Sequence, residues 1–308
     1  MQIIECVPNF SEGRNEKVIN LLAQTAQKTA GVMLLGVSSD YDHNRSVITI
    51  AGNESGIEEA AFLLCKTAAE NIDLRQHEGV HPRMGAADVI PFIPLQNCGI
   101  ETCINLSKRV GKRIADELKI PVFLYEHSAT NEERKNLAAI RKGGFEGMSE
   151  KILLENWQPD YGERKINQSA GVCAVGARYA LIAFNVNLNT GDIKIAKKIA
   201  AKIRESGGGL KTLKAIGVSL NGSGLAQVSM NVTNYEVTSM HDAFCAVKEE
   251  AKRYGVSVLC SEVVGFVPAR ALAESARRCL MIKDFNYDTY VLEAFGICVS
   301  KREPSQME

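Results

Sequence analysis

The chain is poor in the features that mark several common classes of protein. It has one tryptophan, Trp157, and aromatic residues make up only 6% of its 308 residues, too few and too scattered for a base-stacking nucleic-acid surface. It has no charge bias. Its 36 Lys and Arg cancel its 36 Asp and Glu, so nothing pulls the whole molecule toward a polyanion or a membrane, and any anion site must be local. No apolar run is long enough to span a bilayer, and Met1-Gln2-Ile3-Ile4-Glu5 lacks the build of a signal peptide. Nine cysteines occur without one C-x-x-C pair. Most of them, including Cys6, Cys65, Cys245 and Cys260, sit in apolar runs, the pattern of reduced, buried thiols in a cytosolic protein.

What is present is a regular alternation of strand and helix patterns. Ile3 to Val7 reads as a buried strand closed by Pro8, and Asn9 to Gly13 as a polar turn. A helix follows with Val18, Leu21, Leu22, Thr25 and Ala26 on one face. Strands are expected over 32–37 and 46–51, joined by the polar turn Ser38 to Arg45, then a helix over 57–69 and a strand running into Ile93. That order is the split βαβ plan. A helix over 101–118, a strand over 122–125, a helix-capable 132–140 and a polar segment from Trp157 to Gly171 complete the first half. From Tyr179 the plan repeats: strand 180–188, helix 192–205, a hairpin of 213–220 and 225–232 around Asn221-Gly222-Ser223-Gly224, and a helix capped by Thr238 or Ser239 with Met240, Phe244, Val247 and Ala251 on one face. A closing strand over 256–264 follows. The expected organisation is α+β: two tandem βαββαβ units, 1–178 and 179–300, with a cleft where the sheets meet and a polar tail over 301–308.

One stretch concentrates groups that move protons or hold anions, Gln76-His77-Glu78-Gly79-Val80-His81-Pro82-Arg83-Met84-Gly85-Ala86-Ala87-Asp88. It contains the string H-E-x-x-H, which in zinc proteases needs a helix to put both histidines on one face. Gly79 and Pro82 work against that helix, and no third ligand follows, so no metal is expected. The other chemical reading is a loop that delivers one imidazole at the mouth of a strand. There His81 can take and return a proton, Arg83 can hold a carboxylate, and Asp88 can orient a histidine or cap a turn. The structural reading has His77 and His81 bonding backbone carbonyls in a tight loop, and spacing alone leaves both open. Ser206-Gly207-Gly208-Gly209 follows a helix instead of preceding one, so it reads as a helix stop and flexible connection, not a phosphate loop.

Three blocks, Glu5 to Gly13, His43-Asn44-Arg45-Ser46 and His81 to Phe92, together resemble the glutamate formimidoyltransferase family. Ile182 to Leu188, Ala226 to Ser229 and Val264 to Pro268 add to the resemblance, which spans nearly the whole chain. It implies two ferredoxin-like subdomains with a substrate tunnel between their sheets, a homodimer, and a cytoplasmic, standalone transferase without a cyclodeaminase. It also implies the reaction, transfer of a formimidoyl group between N5 of tetrahydrofolate, as co-substrate, and L-glutamate. The family's catalytic histidine falls on His81, and its folate-binding segment on Gly162, Glu163, Arg164, Lys165, Ile166, Asn167, Gln168, Ser169, Ala170 and Gly171. Asn9, Arg45, Arg83, Asp88 and His77 are the further candidates, with the two arginines expected to hold carboxylates and His77 to support. A formyl transferase of the same fold acting on 5-formyltetrahydrofolate, and a non-catalytic folate-binding protein, are the alternatives.

Overall fold

A computed structural model describes residues 2–41, 43–79, 82–220 and 224–295. It divides into two units, Met1–Tyr179 and Ala180–Glu308, each taken here by itself. Both mix helices with one β-sheet.

In the first unit, β1 (Ile3–Cys6) and β2 (Asn9–Phe10) share one lane of the sheet, interrupted where Pro8 has no N–H to give the ladder. The first two residues of the expected turn Asn9–Gly13 are therefore strand. α1 (Glu16–Lys28) is capped by the Asn15 side chain and buries Val18, Ile19, Leu22 and Ala26, whereas Leu21 faces solvent. β3 (Val32–Asp40) runs three residues past its expected end, because Ser38, Ser39 and Asp40 pair with Val47, Ser46 and Arg45 of β4 (Arg45–Gly52). An edge strand tolerates polar residues on both faces, and that hides its end from pattern reading. α2 (Glu54–Asn71) and β5 (Ala87–Gln96) complete the module, and α3 (Ile100–Leu118) and β6 (Val122–Glu126) follow.

The expected helix over 132–140 is broken. α4 (Glu132–Lys135) stops at Asn136, whose side chain turns back to cap α5 (Leu137–Arg141). Two elements carry no clear sequence signal: α6 (Gly144–Lys151) and β7 (Cys173–Ala177). β7 is rich in small residues, yet it lies parallel between β5 and β6 and is buried on both faces. The lateral order is β3, β4, β1 with β2, β5, β7, β6. One face packs on α1, α2 and α3. The other, around Met84, Val89, Phe123 and Tyr125, packs on Ile140, Met148 and Ile152 from α5 and the end of α6.

In the second unit, β8 (Ile182–Leu188), α7 (Ile193–Ile203), β9 (Leu213–Ser219), β10 (Ala226–Val232), α8 (Met240–Arg253) and β11 (Val258–Val264) form a sheet of lateral order β11, β8, β10, β9. Numbered within the module, that is fourth, first, third, second, the order β5, β1, β4 and β3 also take. Asp192 caps α7 instead of lying in its first turn. Ser239 caps α8 in a reciprocal box with Asp242, and Ala243 joins Met240, Val247 and Ala251 in the core, with Phe244 half-buried against it. Cys260, expected to be buried, is exposed on edge strand β11. α9 (Ala269–Cys279) and α10 (Tyr287–Tyr290) follow, and a single 3-10 turn, Leu292–Phe295, closes the described chain. The hairpin tip 221–223 and the tail 301–308 lie outside the described residues. Among the described residues no helix is long and apolar enough to cross a membrane.

Candidate active site

The described residues between α2 and β5 are irregular, and His77, Glu78 and Gly79 are not in the helix that a zinc-protease string needs. His81, the proposed proton carrier, lies outside the described residues. Its neighbours are well held. Asp88, at the head of β5, is buried and accepts the Met84 N–H at 2.7 Å. It thereby caps a turn, one of its two expected uses. Ser11, just after β2, donates its hydroxyl to the Gly85 carbonyl at 2.8 Å and its N–H to the Ala86 carbonyl at 3.0 Å.

The segment 162–171 is stitched to the same turn. Val172 N–H donates to Met84 O (3.0 Å), Ala86 N–H to Ala170 O (2.9 Å) and Leu74 N–H to Ser169 O (2.9 Å). Gly85 and Gly171 face each other in a bridge so close that a Cβ on either would overlap a backbone carbonyl of the other strand. Gly171 also takes φ +70°, open to glycine at little cost. Asn167 closes the loop, exchanging backbone bonds with Gly171 while its Oδ1 accepts from Ser169 and Ala170. Gly162, Glu163, Arg164, Lys165 and Gln168 are exposed, and Ile166 packs against the cluster under α5 and α6. A stretch about eighty residues downstream of the histidine run is thus fastened to its end.

The charges arrange themselves around two brackets. Asp88 Oδ2 accepts the Nε–H of Arg141 of α5 at 2.8 Å, and Arg141 Nη2 lies 2.6 Å from the same oxygen as an ion-pair contact, in a pair almost shut off from solvent. Arg83 donates Nε–H to His77 Nδ1 (3.1 Å) and Nη2–H to the His77 carbonyl (3.1 Å), and grips Glu146 of α6 with both Nη atoms (2.9 and 2.7 Å). Arg83 can only donate, so His77 Nδ1 is an acceptor and its proton sits on Nε2, which donates to the Asn44 carbonyl at 2.9 Å. Both ring nitrogens of this buried histidine are therefore engaged. Four of the five Arg83 donors are engaged as well, which makes Arg83 a bracket between the histidine run and α6. The Arg83 hydrogen bonds, chief among the causes, hold the Glu146 carboxyl below its usual range. Asn44, at φ +47°, ties the second polar turn in, accepting from Gly13 N–H and donating to the Glu78 carbonyl, each at 2.9 Å.

Arg45 opens β4 and bonds Asn9 Oδ1, while Asn9 Nδ2 donates to Val7 O at 2.8 Å. Burial, reinforced by the nearby Arg141, pulls the Arg45 guanidinium down to about 10, and Asp88 pushes back. Phe10, Ser11, His43, Asn44, Arg45, His77, Arg83 and Asp88 line a cavity of about 10 Å³, room for about one water. Asn9, Arg45, His77, Arg83 and Asp88 thus fall in one neighbourhood, joined there by Arg141 and Glu146. Those two lie more than fifty residues from their partners, in a glycine-interrupted stretch, and no spacing rule pairs them.

The profile of the formiminotransferase domain, N-terminal subdomain, matches residues 3–178, and that of the formiminotransferase domain matches 183–289. The chain belongs to the formiminotransferase family. A protein named glutamate formimidoyltransferase in Streptococcus pyogenes serotype M1 is 56% identical over 292 residues, covering 95% of this chain and 98% of its own. A second of that name, from Thermoplasma acidophilum, is 46% identical over 288 residues, 93% and 95% of the two chains. The rat formimidoyltransferase-cyclodeaminase is 41% identical over 281 residues, 89% of this chain and 52% of its own length. Family membership draws on both units, whereas the polar neighbourhood above belongs to the first.

Proposed function

We propose that this protein transfers a formimidoyl group between N5 of tetrahydrofolate and the amine of L-glutamate, a step suited to histidine breakdown. The observation that carries the reading is the 56% identity, over nearly the full length of both chains, to a glutamate formimidoyltransferase. His81 is the general base and acid. Its neutral imidazole takes a proton from the glutamate ammonium, and the freed amine attacks the amidine carbon of the folate adduct. The tetrahedral intermediate then expels N5, to which the imidazolium returns the proton, so atoms and charge balance. Holding both substrates together removes much of the entropic barrier.

The described residues suit the supporting roles. The Asp88 and Arg83 brackets fasten both ends of the turn that follows His81. The segment 162–171, the proposed folate contact, is anchored to that turn. Arg45 is the cation we assign to a substrate carboxylate. The ferredoxin-like description of the two units rests on their shared strand order, and the folate tunnel, the homodimer and the cytoplasmic location rest on the family resemblance alone. Purified protein given 5-formimidoyltetrahydrofolate should consume it only when glutamate is added, and 5-formyltetrahydrofolate much more slowly. Preference for the formyl donor would instead favour the sister reaction. His81→Ala should lower turnover about 10²–10⁴-fold with folate binding retained, and near-full activity would remove His81 from the mechanism.

A further inference from the structure

Along β8 and β10, alternate residues turn away from the core. Phe184, Val186, Val228 and Met230 join the apolar cluster under the helices, so Asn185, Asn187 and Gln227 project from the opposite face. Pairing sets Gln227 beside Asn187, and Glu262 of β11 beside Asn185. The Gln227 side chain lies across β8, and its Nε2 donates to Asn187 Oδ1 at 2.8 Å and to Glu262 Oε1 at 2.9 Å. Asn185 Nδ2 donates to the same Oε1 at 3.0 Å. A carboxylate only accepts, so both amides must turn their NH2 groups toward it. Asn185 and Gln227 are 9% and 4% exposed, whereas Glu262 is exposed.

The apolar core of this sheet lies on its helix side, so the polar network is separate from it. What the network achieves is to fix one carboxylate. Oε1 is held by two amides, and Oε2 has no hydrogen bond among the described residues. A fixed acceptor beside amide N–H groups matches a ligand edge that carries adjacent N–H donors next to a carbonyl. The 2-amino-4-oxo edge of a pteridine has that order: the 2-amino group, N3–H, then O4. An ammonium ion carries donors alone, and the amide hydrogens crowding Glu262 would repel it.

We propose that Glu262, oriented by Asn185 and Gln227, is a pterin-recognition residue whose Oε2 accepts from the 2-amino group and N3–H, with the second Asn185 N–H available to O4. This rests on the folate reading above and names the part of the folate that Glu262 reads. Glu262 binds substrate and takes no part in proton transfer.

The test compares 5-formyltetrahydrofolate with its 2-desamino analogue by titration calorimetry, on the wild-type protein and on Glu262→Ala. Loss of a hydrogen bond to a charged group is worth about ten- to a hundredfold in affinity. The wild type should therefore bind the parent folate at least about tenfold more tightly than the analogue. Glu262→Ala should weaken the parent by a similar factor and bind both ligands alike. Its KM for glutamate should stay within about twofold, which a general loss of fold would not allow. If the wild type binds both ligands equally, the inference is overturned, whether or not the variant folds. If the wild type binds neither, the folate reading itself fails. If both proteins discriminate equally, folate binds but Glu262 does not read it.

Discussion

Asp88→Asn isolates the bracket that holds the turn after His81. An asparagine keeps an oxygen for the Met84 N–H but removes the charge that Arg141 faces at 2.6 and 2.8 Å. The side chains of the pair are 4% and 15% exposed, so solvent screening does little to soften the loss. Breaking such a pair from one side leaves an uncompensated buried charge, at about 3–5 kcal/mol. In a unit of this size about 1 kcal/mol shifts the melting point by 2–4 °C, so the midpoint should fall by about 6–20 °C. Denaturant unfolding of Asp88→Asn, Arg141→Met and the double variant supplies the cycle. The double variant also removes the Arg141 charge that Asp88→Asn leaves unopposed, and it should recover at least about 1.5 kcal/mol relative to the sum of the singles. A single-variant loss under about 1 kcal/mol, or strict additivity, would refute the claim that the two residues act as a buried unit.

Other expectations follow from local geometry. Gly171→Ala forces a left-handed conformation and drives a methyl into the Met84 carbonyl, so it should cost about 2–5 kcal/mol, read by thermal unfolding of the soluble fraction. Lys151 donates to the carbonyls of Ala139, Ile140 and Lys142, and burial, then the charge of Lys142, lowers its ammonium to about 8. The unfolded chain, with a lysine near about 10.4, binds more protons above that point. Stability should therefore rise between about pH 8 and 10, and Lys151→Met should flatten that slope in chemical denaturation. Ser239→Ala breaks the capping box of α8 and should cost about 1 kcal/mol.

The first unit shows where sequence reading stops. β1, β4, β5 and α3 carry strong apolar periodicity, and their expected and observed ranges differ by one or two residues for most ends. β7 escaped because a small-residue strand buried on both faces has no alternation and here a single β-branched residue, Val175, and only its place between β5 and β6 makes it a strand. α4 and α5 escaped as separate helices because Asn136 looks harmless in a helix until its side chain caps the next turn. The poles of the site divide the same way. Arg83 and Asp88 stood out by residue type. Their partners Glu146 and Arg141 did not, being surface-like residues on a segment that folds back over the sheet.

The sequence by itself determined the α+β class, the duplicated strand and helix order, and the clustering of titratable residues near one turn. These are set by periodicity and by residue chemistry within short windows. Tertiary structure alone decided that Arg83 grips Glu146 and His77, that Asp88 is paired with Arg141, and that segment 162–171 is sewn to the turn at Gly85. It also decided that Gln227 and Asn185 pin Glu262. Each of these joins residues more than thirty positions apart or depends on register between strands, except the His77–Arg83 contact, which depends on the path of an irregular loop. A linear pattern carries no distance across a sheet, so such pairings become fixed only when burial and hydrogen-bond satisfaction are met together.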